Sequence, residues 1–261
     1  MKKATQGSFL SRYWGLALVF ALCLFYIIML IVMPEKMGVE NGAWGIYLLD
    51  AGRVVGFSVA TALTAEILSL PFCIALALAV TMIAPEGIRR LLERVASGLS
   101  AIPAVVLGYM SLKFYVPKIS SQFAAVVVTL LLMSLMEQTM DFIRINGRET
   151  ALMERARALG ANFRETALVF VYPQVRRNYI VIAANTLIRD LSEGVAILLV
   201  VSAYDSGADT LSTAIMKAVG VAGESRNLHW IILLVLLIFL LSESGRAVVS
   251  AIKRGGGKHE A

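Results

Sequence analysis

Three ionisable residues sit where an apolar run would be expected to exclude them: Arg189, Asp190 and Glu193, within L-I-R-D-L-S-E-G-V-A. At a rise of about 1.5 Å per residue, Arg189 lies roughly 15 Å into a helix that starts near Tyr179. Charges at that depth of a bilayer cost about 2.5 to 3.5 kcal/mol each, so they are expected to face protein or water and to have a partner. Arg189 and Glu193 are four residues apart, which on a helix places them on one face and allows them to pair. Asp190 is turned about 100° from Arg189, free to meet another subunit. Either a structural ion pair that fixes helix packing or a site for a charged solute would use these residues.

Other candidates carry less. Glu66 interrupts an earlier apolar run and is expected either to line the same pathway, to pair with Arg189, or to make a local subunit contact. Glu137 and Glu243 fall toward the cytoplasmic ends of their runs and are expected to snorkel or cap, and Lys113 reads as an interfacial lysine. Cys23 and Cys73 both lie in apolar stretches, which argues for inert packing and against a disulfide or metal framework. Histidine occurs only at 229 and 259, and there is no phosphate-binding glycine loop and no metal-ligand spacing. Catalysis on this chain is therefore not expected, and neither a cofactor nor a metal.

The elements that position these residues are membrane helices. The chain has 261 residues, 58% of them hydrophobic and only 16% charged, with a mean hydropathy of +0.77, far from a soluble average. Apolar runs long enough for roughly 30 Å of hydrocarbon fall at Tyr13 to Met33, Val55 to Ile83, Leu92 to Tyr115, Phe123 to Phe142, Tyr179 to Ala203 and Leu228 to Val249. The expected fold is an all-α, polytopic transmembrane helical bundle of about six spans. The third run is interrupted by Ser97, Gly98, Ser100, Pro103 and Lys113, as a broken helix beside a pathway would be.

With the N-terminus inside, seventeen of the 24 Lys and Arg residues fall on the cytoplasmic side and six outside, as the positive-inside rule requires. Both termini are then cytoplasmic, and the net charge of +6 reflects orientation, without nucleic-acid binding. The first run is too long for a signal peptide and lacks a small-residue cleavage pattern, so it is expected to be a retained anchor. The domain reading is residues 1–54 as N-terminal anchor span and external loop, 55–251 as the membrane domain, and 252–261 as a disordered glycine-containing tail.

Between the fourth and fifth runs lies the longest cytoplasmic excursion, residues 144–177. Two short helices separated near Gly160 to Asn162 are expected: Ala151 to Leu159 is rich in strong helix formers, and Gly-Ala-Asn is a stop signal. Leu152, Ala156 and Leu159 would share one face. Alternatively the segment is an amphipathic interfacial helix whose arginines meet anionic lipid.

The spacing of Glu154, Ala156, Gly160 and Pro173 resembles the signature of ABC importer permeases, Glu-Ala-Ala followed by glycine and later by Ile-x-Leu-Pro. Arg155, Phe170 and Tyr172 depart from that pattern. The resemblance implies a type I importer permease fold and docking of Glu154 to Gly160 in a groove of an ATPase subunit, with Ala156 and Gly160 allowing close approach and Arg155, Arg157 and Arg164 meeting acidic groups. Among such permeases the fifth run is similar to that of phosphate transporters, Arg-x-Leu-Gly-Glu, matched by Arg189, Leu191 and Glu193 with Ser192 for glycine. Ile102, Pro103, Val105, Val106 and Gly108 match a Gly-Ile-Pro-Ser-Val-Val-Tyr-Gly stretch of the same permeases.

What this resemblance implies is a phosphate pathway in a prokaryotic inner membrane, with Arg189 attracting the anion and Glu193 holding or releasing the arginine, and with Pro103 and Gly108 packing the pathway helices. It also implies partners: an ABC ATPase homodimer binding ATP and Mg, a second and non-identical permease, an external phosphate-binding protein and membrane lipid. A permease for phosphonate, sulfate or molybdate, or a non-transporting phosphate sensor of the same fold, would share these features.

Overall fold

A computed structural model of the chain describes residues 20–21, 24–25, 44–100, 102–204, 208–220 and 228–255. Of the anchor expected at Tyr13 to Met33 only residues 20–21 and 24–25 are described, and of the tail only 252–255; the remainder of both lies outside the described residues. Among the described residues all regular structure is helical: α1 (Trp44–Ile83), α2 (Glu86–Ser100), α3 (Ala104–Phe114), α4 (Gln122–Asn146), α5 (Thr150–Ala158), α6 (Phe163–Glu165), α7 (Tyr172–Ser192), α8 (Val195–Val201), α9 (Leu211–Gly220) and α10 (Leu228–Gly255). Short 3-10 turns cover Val116–Lys118 and Gly147–Glu149, and a π-helical stretch covers Thr166–Val171.

Among the described residues, three stretches are long and apolar enough to cross a membrane: Leu49–Ile83, Gln122–Ala158 and Ile232–Ser250. The third and fifth expected spans are instead each two helices with a break. Pro103, at φ −58° and ψ 137°, starts α3 and separates it from α2, because proline supplies no N–H and biases the residue before it away from the helix. At Glu193 the backbone opens to ψ 118°, ending α7 before Gly194 and α8.

α1 and α4 form the central pair. Ala65, Ser69, Cys73 and Ala77 recur every four residues on α1 and are fully buried, and small side chains at that interval let two helix backbones approach. Cys73 faces the Leu135 carbonyl of α4 at 3.9 Å. Outside that row α1 exposes Ile67, Phe72, Leu76 and Ile83, an apolar exterior of the kind a bilayer covers. Pro71 lies inside this 40-residue helix.

Around the pair are three apolar clusters. One joins α1 and α4 to α5 and α7 through Phe142, Met153, Val171 and Tyr179. A second joins α4 to α8 through Val126, Leu130, Ile197 and Val200. The third holds α9 against α10 through Leu211 and Leu234. α3 packs against α8 with no room to spare, since a Cβ on Gly108 would stand 2.6 Å from Ala196 Cα and 2.7 Å from its carbonyl oxygen.

Candidate functional site

Arg189, Asp190 and Glu137 form one connected cluster where the end of α7 meets α4. The Arg189 guanidinium pairs with Glu137 of α4 and with Asp190 Oδ1 at 3.3 Å. Asp190 is buried and also accepts a hydrogen bond from Ser134 Oγ at 2.8 Å. The expectation that Asp190 looks toward another subunit is therefore corrected: it is turned into the α4–α7 contact, where a donor and a cation satisfy it.

Glu193 is corrected as well. It stands four residues from Arg189, yet the helix ends at Ser192, so the i, i+4 geometry never forms. The Glu193 carboxylate instead accepts from the Ala196 N–H at 3.5 Å, at the start of α8. Glu137 takes the place next to the arginine. Its own expected role as a snorkelling residue was drawn from its distance along the run, whereas its helical position matters more. Ser134, Glu137 and Gln138 lie at i, i+3 and i+4, one face of α4, and that spacing is the signal by which the sequence could have shown them.

These charges open onto a cavity of about 130 Å³ lined by Ile102, Ala104 and Leu107 on the α3 side, by Met133, Met136 and Glu137 of α4, and by Arg189 and Glu193. Arg189 is half-buried, its side chain 30% exposed. The cavity thus offers one guanidinium, already engaged by carboxylates, against mostly apolar walls. Pro103 begins the helix that forms one wall, and Gly108 sets how closely that wall meets α8.

Glu66 lies elsewhere. It is buried on α1 and both of its carboxylate oxygens accept from Gln138 Nε2 at 2.6 Å, while Ser69 Oγ donates to Gln138 Oε1 at 3.3 Å. Glu66 neither pairs with Arg189 nor lines the cavity. Its position beside Gln138, one residue from Glu137 on α4, nonetheless joins the two polar groups along one helix.

The segment from Glu154 to Pro173 folds as two helices separated at the glycine. α5 ends in a Schellman motif: the Gly160 N–H donates to the Arg157 carbonyl at 2.9 Å and the Ala161 N–H to the Ala156 carbonyl at 3.1 Å, with Gly160 at φ +86°. A left-handed residue at this position is where glycine is favoured. Asn162 then caps α6 through a reciprocal capping box with Glu165, both bonds at 2.9 Å. Pro173 sits in the first turn of α7 directly after the π-helical stretch, and the Tyr172 N–H reaches back five residues to the Ala167 carbonyl. A widened turn is one way to carry a proline ring without breaking a helix.

The face expected on α5 is rotated. Met153 and Ala156 are buried inside the chain, while Leu159 is 83% exposed. Ala156 is thus unavailable for close approach by a partner, and the outward surface is made by Glu154, Arg155 and Leu159, with Phe163, Leu168 and Val169 beyond. Arg157 donates to the Met82 carbonyl at the end of α1, tying α5 to that helix. Next to this tie, a cleft of about 320 Å³ runs between Thr81 to Pro85, Arg89 and the α5 residues Met153, Glu154 and Arg157.

No family model and no curated protein matches the chain. Among solved structures, a chain of the MetNI methionine ABC transporter in inward-facing conformations is similar, with a TM-score of 0.57 and 17% identity, covering 82% of this chain and 99% of that one. At that identity the likeness is one of fold. The chain thus shares the fold of a chain of that ABC transporter, and its long apolar helices have the length and composition to cross a membrane.

Proposed function

We propose that the chain is the permease subunit of an ATP-driven importer and that its solute is an oxyanion, phosphate in the first instance. The observation that carries the solute class is Arg189, held at a cavity wall by Glu137 and Asp190. A guanidinium matches the oxygens of a phosphate bidentately, and a competing carboxylate keeps the anion from being captured permanently. In this geometry Glu137 is the group that must yield its place for an anion to reach Arg189, while Asp190, braced by Ser134, holds the arginine in position. The exposed surface of the 154–169 segment is where a separate ATPase pair, binding ATP and Mg, would push. A second permease and an external binding protein would complete the assembly, in a prokaryotic inner membrane with both termini cytoplasmic.

One observation favours a second reading. The guanidinium pairs with two carboxylates, Glu137 and Asp190, and a third, Glu193, lines the same cavity, a balance that also suits a zwitterion such as the methionine named for the solved transporter, with its ammonium on a carboxylate. Phosphonate, sulfate or molybdate would use the arginine as phosphate does.

Uptake of labelled phosphate into proteoliposomes containing the full complex, competed by the other oxyanions and by methionine and measured beside ATP hydrolysis, separates these. Arg189→Gln is expected to abolish phosphate uptake with assembly intact. Normal phosphate accumulation by that variant would refute the pathway assignment, methionine uptake would establish the second reading, and neither uptake nor coupled hydrolysis would mark a sensor.

A further inference from the structure

The helix between the first long span and the cavity wall does not belong to the bundle's interior. α2 has 15 residues, about 22 Å at the α-helical rise, which is short of the roughly 30 Å a span needs. Its residues are segregated. Ile88, Leu91, Leu92 and Val95 fall at i, i+3, i+4 and i+7, while Arg90, Glu93, Arg94 and Ser97 repeat the same interval on the other side. This is the pattern of a helix at a boundary between water and an apolar medium.

Among the described residues, the chain does not supply that medium. α2 leans on α4, yet Ile88, Leu91 and Val95 are each at least half exposed, and Arg90 and Arg94 are exposed too. The apolar exterior of α1 ends at exposed Ile83, and the exposed row of α2 resumes at Ile88. Arg89 shares a cleft with Glu154 and Arg157 of α5, which sets the first turn of α2 beside the segment assigned to the cytoplasmic side.

From this we infer that α2 is a bilayer-surface helix. It lies along the cytoplasmic leaflet with Ile88, Leu91, Leu92 and Val95 sunk to the acyl–headgroup boundary and with Arg90 and Arg94 among the headgroup phosphates. Helices of this composition bind membranes by burying the apolar row a few ångströms below the headgroups, and arginine pairs well with phosphate oxygens. The occupant of the exposed row is lipid, in continuity with the lipid-facing side of α1.

The test uses the full chain with Cys23→Ala and Cys73→Ala. Single cysteines are introduced as Ile88→Cys, Leu91→Cys, Val95→Cys, Arg90→Cys and Arg94→Cys, spin-labelled, and the protein is reconstituted in phosphatidylethanolamine–phosphatidylglycerol vesicles. Collision rates with oxygen, which partitions into the acyl region, and with a water-soluble nickel chelate are then measured. The oxygen-to-nickel ratio is expected to be at least about threefold higher at 88, 91 and 95 than at 90 and 94. Labels at 88, 91 and 95 shielded from both reagents would show a protein contact, such as a second copy of the chain, and overturn the inference. High nickel accessibility at all five sites would overturn it in favour of a helix standing in water. Retention of the parent's gel-filtration profile by each labelled chain identifies those that have folded.

Discussion

α3 and α8 meet backbone to backbone at Gly108 and Ala196, and Gly108→Ala measures that contact. The added Cβ would stand 2.6 Å from Ala196 Cα and 2.7 Å from the Ala196 oxygen, whereas ordinary contact begins near 3.4 Å. Both obstructing atoms are backbone, so no rotamer change relieves the overlap and the helices must part by most of an ångström. Overpacking of this kind costs about 1 to 3 kcal/mol. Against it stands the intrinsic preference for alanine over glycine in a helix, about 0.8 to 1.0 kcal/mol. The clash is expected to offset that preference or exceed it, with a net loss of up to about 2 kcal/mol.

Gly56→Ala in α1 is the matched control, because nothing lies within 4 Å of its Cβ, and it should gain the helix preference of about 0.8 to 1.0 kcal/mol unopposed. Cys73, fully buried at the α1–α4 seam, supplies the assay: in a Cys23→Ala background a thiol-reactive dye reports when that seam opens on heating. At this size each kcal/mol moves the midpoint by roughly 2 to 4 °C. If Gly108→Ala is stabilised as much as Gly56→Ala, the close approach of α3 and α8 is refuted.

Gly160→Val is expected to cost about 1 to 2 kcal/mol, because φ +86° is left-handed, and Gly160→Asn distinctly less. Coupled uptake and ATP hydrolysis should fall out of step in the valine chain first, and equal behaviour of the two would show that conformation is not the issue. Asn162→Ala removes the cap on α6 and should destabilise that turn by about 0.5 to 2 kcal/mol, seen as faster proteolysis near residues 159–163. Ser134→Ala takes away the hydroxyl that serves Asp190 at 2.8 Å. A loss of about 1 to 3 kcal/mol is expected for the acceptor left short, read as a lower midpoint by the Cys73 dye, and an unchanged midpoint would place water in the hydroxyl's stead.

Much of the architecture was legible because it depends on local signals. The Gly160-Ala-Asn162 stop is one: glycine supplies the left-handed turn and asparagine the cap, both independent of tertiary context. The interruption of the third run at Pro103 is another. What the sequence did not show is where helices end when nothing local compels it. Glu193 was paired with Arg189 on the assumption that one helix continues through both, and the helix stops a residue earlier. The partner that replaced it, Glu137, comes from a helix some fifty positions away in the chain, and only packing brings α4 and α7 together. In the same way, spacing puts Leu152, Ala156 and Leu159 on one face of α5 and the family resemblance implies that a partner approaches Ala156, whereas the direction of inward and outward is set by α1 and the π-helical stretch against which α5 lies.

The length of α1 has a mechanical consequence. Its 40 residues make a rod of about 60 Å, twice the hydrocarbon it crosses, and Arg157 grips the far end through the Met82 carbonyl. A thrust on α5 therefore loads a lever arm. Pro71, between that grip and the Glu66–Gln138 clasp, leaves the Ile67 carbonyl without its helical N–H, so the rod carries a pivot between the end that is pushed and the end that is clamped. Cys73, Ala77 and Met82 keep the length beyond the proline packed on α4, α5 and α7, so a tilt at that pivot carries those helices with it.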